Sequence, residues 1–331
     1  MRSTMCSFVI ASLVLAGCGG SASDDAAPEG AAGGSVRLVA YSTPREAYAK
    51  LIDLYTSGSG KGVDFDQSYG ASGEQSRAVE AGLRADVVAF SLEPDMARLV
   101  EPGIVPANWN AGDHKGMVTD SVVVFVVREG NPDGIRGWND LVRKGVEVVT
   151  PNPFTSGGAR WNVMAAYGAQ LEQGKTKEQA RNYLRDLFRN VSVQDKSARE
   201  SLTTFAAGKG DVLIAYENEA IFAKRQGQPF EYVVPDETIL IENPVAATKD
   251  ASDAGRAFVD FLFTDEAQKV YGDEGYRPVS KSVLDTFDFP TPPSLFTIAD
   301  VGGWDNVQSE FFDRETGFMA KVQKEIGQPT E

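Results

Sequence analysis

The sequence predicts an α/β protein of two lobes with a cleft between them, and three observations carry that expectation. Short apolar runs alternate with amphipathic segments, the pattern of strands joined by helical crossovers. Two runs, Asp120 to Pro132 and Glu231 to Thr248, are longer than the rest and read as crossings between two such units. Several strands also run directly into helix-start signals, and ligands of open α/β sheets sit beyond the strand carboxyl ends.

The folded body begins near Ser35. VRLVAYS (Val36 to Ser42) is a buried strand, and T-P-R-E after it has capping-box spacing, with Thr43 as cap, Pro44 at the first helical position and Glu46 closing the box. Ala47, Leu51 and Leu54 then recur at helical intervals. A second start follows at YGASGEQ, where Ser72 and Gln75 have the same spacing, and ADVVAFS (Ala85 to Ser91) is a third strand. After the first crossing the pattern restarts. A short helix near Trp138 to Val142 leads to the strand VEVVT, to a helix opened by FTSGGARWN, and to another carrying Tyr183, Leu184, Leu187 and Phe188. D-K-S-A-R-E, with Ser197 and Glu200, is another capping-box candidate, and DVLIAYENEA is the next strand. The return crossing, helices at Ala254 to Phe263 and Asp265 to Tyr271, and one near Trp304 to Ile326 complete the chain. The implied division is 1–17 leader, 18–34 tether, 35–122 with 244–331 as the first lobe, and 123–243 as the second.

The leader has Arg2, an apolar run from Phe8 to Leu15, and Leu15-Ala16-Gly17-Cys18, which resembles the bacterial lipoprotein signal. In such a signal Cys18 is lipidated and becomes the mature N-terminus. The small, polar stretch after it reads as a flexible tether, so the body is expected outside the cytoplasmic membrane, held by a lipid anchor. Cys6 is the other cysteine of two, which excludes a disulfide in the mature chain and a thiolate zinc site. No metal or organic cofactor is expected. Without residues 1–17 the chain keeps 31 basic against 47 acidic side chains. Nucleic acid is excluded as a partner on that balance. An anion would have to be held by local dipoles rather than by a long-range positive field.

Four loops and one strand end supply such dipoles. They are Y-S-T-P-R-E at Tyr41, Y-G-A-S-G-E-Q at Tyr69, T-S-G-G-A-R-W at Thr155, D-K-S-A-R-E at Asp195, and I-A-Y-E-N-E-A at Ile214. The first amides of a helix lack internal partners and carry the positive end of its dipole. Glycines such as Gly157 and Gly158 let an anion approach them. Each loop by itself is equally well a plain helix start, with its Ser or Thr as cap; only their convergence on one cleft would make a cage.

At these residues the sequence resembles the bacterial sulfate and thiosulfate binding proteins of ABC importers. The resemblance runs from about Val36 to Tyr276 through NPFTSGGARWN, GNPDGIRGWNDL, ADVVA, DVLIAYENEA and Tyr276-Arg277-Pro278. It implies a type II periplasmic-binding-protein fold, each lobe a mixed sheet flanked by helices. It also implies sulfate held without a countercharge in the closed cleft, and, as partners, an ABC permease and its ATPase for a monomeric binding protein. The ligand contacts it implies are the amides of Ser42, Ser72, Gly157, Gly158 and Ala198 with the Ser156 hydroxyl. Two positions depart from the family pattern: Ser42 replaces an aspartate, and Tyr216 replaces a tryptophan donor. Indole only donates, whereas a phenol donates or accepts.

An enzyme is the first rival. The single histidine, His114, lies in the polar loop A-G-D-H-K-G, and neither a nucleophile elbow nor a lysine-bearing phosphate loop is present. Carboxylate pairs such as Glu217 with Glu219 read as strand or surface features, and Arg160 and Arg199 as surface or interlobe pairing partners. A binding protein for molybdate, tungstate, phosphate or a small organic anion is the second rival, and a lipoprotein adhesin the third.

Overall fold

A computed structural model of the protein describes residues 34–330. The leader, Cys18 and the tether up to residue 33 lie outside the described residues. The first lobe opens with β1 (Ser35–Tyr41), α1 (Arg45–Ser57), β2 (Asp64–Gly70), α2 (Ser72–Glu80), β3 (Val87–Ala89) and α3 (Glu93–Val100). β4 (Met117–Arg128) crosses to a second lobe containing a 3-10 turn at Trp138–Val142, then β5 (Val148–Val149), α4 (Gly157–Glu172), α5 (Lys177–Arg189), β6 (Val191–Val193), α6 (Ala198–Ala206), β7 (Val212–Tyr216), α7 (Glu217–Arg225) and β8 (Phe230–Val233). β9 (Glu237–Ala247) returns to α8 (Asp253–Leu262), α9 (Asp265–Asp273), β10 (Arg277–Pro278) and α10 (Lys281–Leu284). The chain closes with β11 (Ser294–Phe296), α11 (Gly303–Val307), a π-helical turn at Gln308–Phe312 and α12 (Phe318–Glu325).

The strands lie in the order β2-β1-β3-β9-β4-β7-β5-β6, with β8 and β10 paired to β4 and β11 to β9. Pairing is parallel within each lobe, β1 with β2 and β3, and β5 with β6 and β7. The expected crossings are both present. β4 pairs with β9 through Met117 to Val122 and with β7 through Val123 to Val127. β9 pairs with β3 through Val245 to Ala247. Both lobe sheets therefore hang on two antiparallel strands, which fixes a cleft at the carboxyl ends of β1, β3 and β7.

Separate cores stabilise the lobes. Tyr48, Leu51, Phe258 and Tyr271 pack together in the first, and Trp138, Trp161, Met164 and Leu184 in the second. The expected first-lobe assignment of 244–331 is corrected from Ser294 onward. β11 pairs with Glu237–Ile239 of β9, and Trp304, Phe311, Phe312 and Met319 join the second-lobe core, where Trp304 meets Trp161 edge to face with centroids 4.8 Å apart. Burying a large apolar side chain contributes roughly 1.5–3 kcal/mol, so these four hold the tail on the second lobe. The single terminal helix expected from Trp304 to Ile326 is also broken, because the Asp313 carboxylate accepts the amides of Glu315 (3.1 Å) and Thr316 (2.7 Å) and turns the chain.

Two of the three capping boxes are not formed. α1 is preceded by Pro44 with no side-chain cap, and α2 begins at Ser72 itself with Ala71 before it. Glu46 is drawn away to Arg199, and Gln75 to Ser68. The third box, Ser197 with Glu200, is present. GNPDGIRGWNDL serves the scaffold: the Trp138 indole donates to the Glu237 carbonyl at the start of β9, 2.8 Å away.

Candidate anion-binding site

A small cavity lies between the lobes. Ser42 and Thr43 line it after β1, Ala71 and Ser72 at the start of α2, and Ser91 after β3. From the second lobe come Ser156 and Gly158 at the start of α4, Ala198 at the start of α6, and Tyr216 at the end of β7. The space is small, which excludes an extended ligand. The structure thus brings together every residue the sequence singled out for the cleft except Gly157, which sits one position behind the wall.

Each helix start leaves donors for this cavity. Among the described residues, the amides of Ser72, Gly157, Gly158 and Ala198 have no protein acceptor, as the geometry of a first turn requires. Three helices therefore aim their positive ends at one small volume. Ser156 caps α4 by accepting from the Ala159 amide at 3.4 Å. Because the cap uses a lone pair, the hydroxyl hydrogen remains free to donate; the cap and the ligand roles are compatible. Ser72 differs. Its hydroxyl donates to Asp95 Oδ2 at 2.6 Å and accepts from the Ser91 amide at 3.0 Å, so it offers a ligand only its backbone.

The two glycines of α4 have different causes. A Cβ on Gly158 would lie 3.5 Å from Ala198 Cβ, Ser156 Oγ and Tyr216 Cε1, an ordinary contact at the cavity wall from which a larger side chain would grow into the space. A Cβ on Gly157 would lie 2.5 Å from Leu92 Cδ2, 2.8 Å from Ser91 Oγ and 2.9 Å from Ser91 Cβ. The expectation that Gly157 is glycine to admit an anion is corrected: its missing side chain makes room for the opposite lobe.

Ser91 is the wall residue that helix-start signals missed. It is 1% exposed, and all its polar groups are engaged. Its hydroxyl lies 2.7 Å from the Tyr216 hydroxyl, its amide donates to Ser72, and its carbonyl accepts from the Trp161 indole (2.7 Å) and the Asn243 side chain (2.9 Å). The signal for it was the strand end ADVVAFS, which the rule of strand carboxyl ends singles out without any helix cap.

Among the described residues, no charged side chain lines the cavity. Arg199, one residue past the wall, is held by Glu219 (2.8 Å) of its own lobe and Glu46 (2.8 Å) of the other, with Thr43 O also accepting from it. Arg160 is buried against Pro153 O and Gln308, and burial pulls its guanidinium down to about 10, still charged at neutral pH. Glu217 and Glu219 are not surface features: both are buried on α7, paired with Arg277 and Arg199. Burial pushes the Tyr216 phenol well above its ordinary range, so it stays neutral. The wall is uncharged and rich in hydrogen-bond donors.

A family of bacterial extracellular solute-binding proteins matches residues 36–277. A sulfate-binding protein from Synechococcus elongatus is 40% identical over 95% of this chain and 93% of its own length, and one from Synechocystis is 40% identical over 88% and 87%. The solved structure of the sulfate-binding protein SubI from Mycobacterium tuberculosis is 44% identical and superposes with a TM-score of 0.82, covering 84% of this chain and 99% of that one. On fold, cavity and these similarities together, the chain belongs to the bacterial extracellular solute-binding proteins.

Proposed function

We propose that this protein captures sulfate outside the cytoplasmic membrane and delivers it to an ABC permease and its ATPase. The observation that carries the reading is the convergence of unpaired amides from α2, α4 and α6, with hydroxyls of Ser156 and the Ser91–Tyr216 pair, on one small cavity that no charged side chain lines among the described residues. Sulfate has no proton at neutral pH and offers only acceptors. Hydrogen phosphate brings a proton of its own, and a buried donor left unpaired costs about 1–3 kcal/mol, roughly ten- to a hundredfold in affinity per mismatch. The ligand contacts in this reading are the amides of Ser42, Ser72, Gly157, Gly158 and Ala198, the Ser156 hydroxyl, and the Tyr216 phenol. The sulfate-binding relatives support the choice among oxyanions.

Equilibrium dialysis with labelled sulfate, competed by thiosulfate, molybdate and phosphate, tests the reading. Saturable binding displaced by unlabelled sulfate and weakly by phosphate is expected. Preference for molybdate or phosphate, or no saturable binding, overturns it. The same reading takes Cys18 as the lipid anchor, so Cys18→Ala expressed in bacteria should leave the membrane fraction or accumulate as unprocessed precursor. An unchanged membrane pool would refute the anchor.

A further inference from the structure

We propose that Ser91 and Gly157 form the latch that couples closure of the lobes to occupancy of the cavity, with Ser91 as a positioning residue. The inference rests on the oxyanion-binding reading and adds what makes binding and closure one event.

Ser91 belongs to the first lobe, following β3, yet its carbonyl takes the indole hydrogen of Trp161 and its hydroxyl pairs with Tyr216, both of the second lobe. Its amide meanwhile fixes the Ser72 hydroxyl at the start of α2, and its carbonyl also receives Asn243 from β9. One residue thus registers the starts of α2 and α4, the end of β7 and a crossing strand. The approach is possible because Gly157 has no side chain, since any Cβ there would lie within 3.0 Å of Ser91 and of Leu92. A second cross-lobe contact of the same kind lies beside it, with the Gly73 amide donating to Thr155 O at 3.2 Å.

The chemistry of the hydroxyl pair explains why the latch needs a ligand. Ser91 and Tyr216 carry two hydroxyl hydrogens and make one hydrogen bond between them, so whichever donates, one hydrogen remains at the wall of the cavity. Closure around nothing would bury that hydrogen together with the free amides of three helix starts, each without an acceptor. Closure around an anion gives all of them one. The lobes can then settle onto the Ser91–Gly157 contact only when the cavity is filled.

The test pairs calorimetry with small-angle scattering on wild type, Gly157→Ala and Ser91→Ala, each titrated with sulfate, thiosulfate, molybdate and phosphate, and adds a thermal melt of each ligand-free protein. Wild type should contract on saturation. Gly157→Ala keeps its amide and should still bind, but about tenfold or more weaker, and without contraction. A methyl on Gly157 meets Leu92 Cδ2 as well as Ser91, whereas Ser91→Ala loses only the hydroxyl that pairs with Tyr216; Ser91→Ala should contract on saturation but bind more weakly than wild type. Ligand-free melts unchanged from wild type separate a latch from simple misfolding, because the Ser91–Gly157 contact forms only on closure. The latch is refuted if Gly157→Ala binds within about twofold of wild type and contracts equally, or if Ser91→Ala binds as tightly as wild type. Should wild type bind and contract with molybdate rather than sulfate, the sulfate reading fails while the latch is judged with molybdate. Should it contract with none of the four, the latch fails.

Discussion

Ser156 does two things with one oxygen. Its lone pair caps α4 at Ala159 and its hydrogen is left for the cavity. Ser156→Ala should therefore weaken sulfate binding by about 1.5–3 kcal/mol, as for a hydrogen bond to a charged group, and separately lower stability by about 0.5–2 kcal/mol through the lost cap. Calorimetry and a denaturant melt measure the two effects independently; a stability loss with unchanged affinity would reduce Ser156 to a helix cap. Much of this wall was legible in the sequence because Ser72, Ser156, Gly158 and Ala198 stand at helix starts, where local residue type signals exposed amides. Ser91 carries no such local signal, and its hydrogen bonds all reach elements distant in the chain. The reason for Gly157 was illegible likewise, since the residues that exclude its side chain, Ser91 and Leu92, belong to the other lobe.

Local rules for helix starts yield where a long-range charge competes. Glu46 leaves the capping box of α1 for Arg199, whose other carboxylate, Glu219, is 1% exposed and would be an uncompensated buried charge without it. The crossing strands hold a second electrostatic feature. Asp120 of β4 stands directly opposite Glu242 of β9, with Arg277 of β10 paired to the same residue but donating its Nε hydrogen to Glu217. Burial, with the facing Glu242 carboxylate adding to it, pushes Asp120 up to about 7. In the unfolded chain it would ionise near 3.9, so between about pH 4 and 7 the folded state binds more protons and stability falls as pH rises. Asp120→Asn removes this loss. The stability gap between variant and wild type should widen in the variant's favour from pH 5 to pH 8 in denaturant melts, and a gap independent of pH would contradict it. The strands themselves were legible as long apolar runs, but the pairing of two acidic residues depends on register, which no run of apolar residues specifies.

The two-lobed fold follows from alternation and from the two crossing strands, and both were visible as sequence pattern. The tail was not, because its aromatic residues could have completed either lobe's core, and only in the folded chain do they join Trp161 and Met164 of the second. An acidic chain, net −15, that encloses an uncharged, donor-lined cavity is the physical signature on which the whole account depends: the anion is to be held by backbone dipoles and hydroxyls, while nearby guanidinium groups are spent on carboxylates and carbonyls. Selenate, the heavier isostere of sulfate, tests this most directly. A crystal of the protein grown with selenate, measured at the selenium edge, should show one strong anomalous peak inside the cavity, within hydrogen-bonding distance of the Ser72, Gly158 and Ala198 amides and the Ser156 hydroxyl. A peak at Arg160 or Arg199 instead, or an empty cavity at saturating selenate, would contradict it.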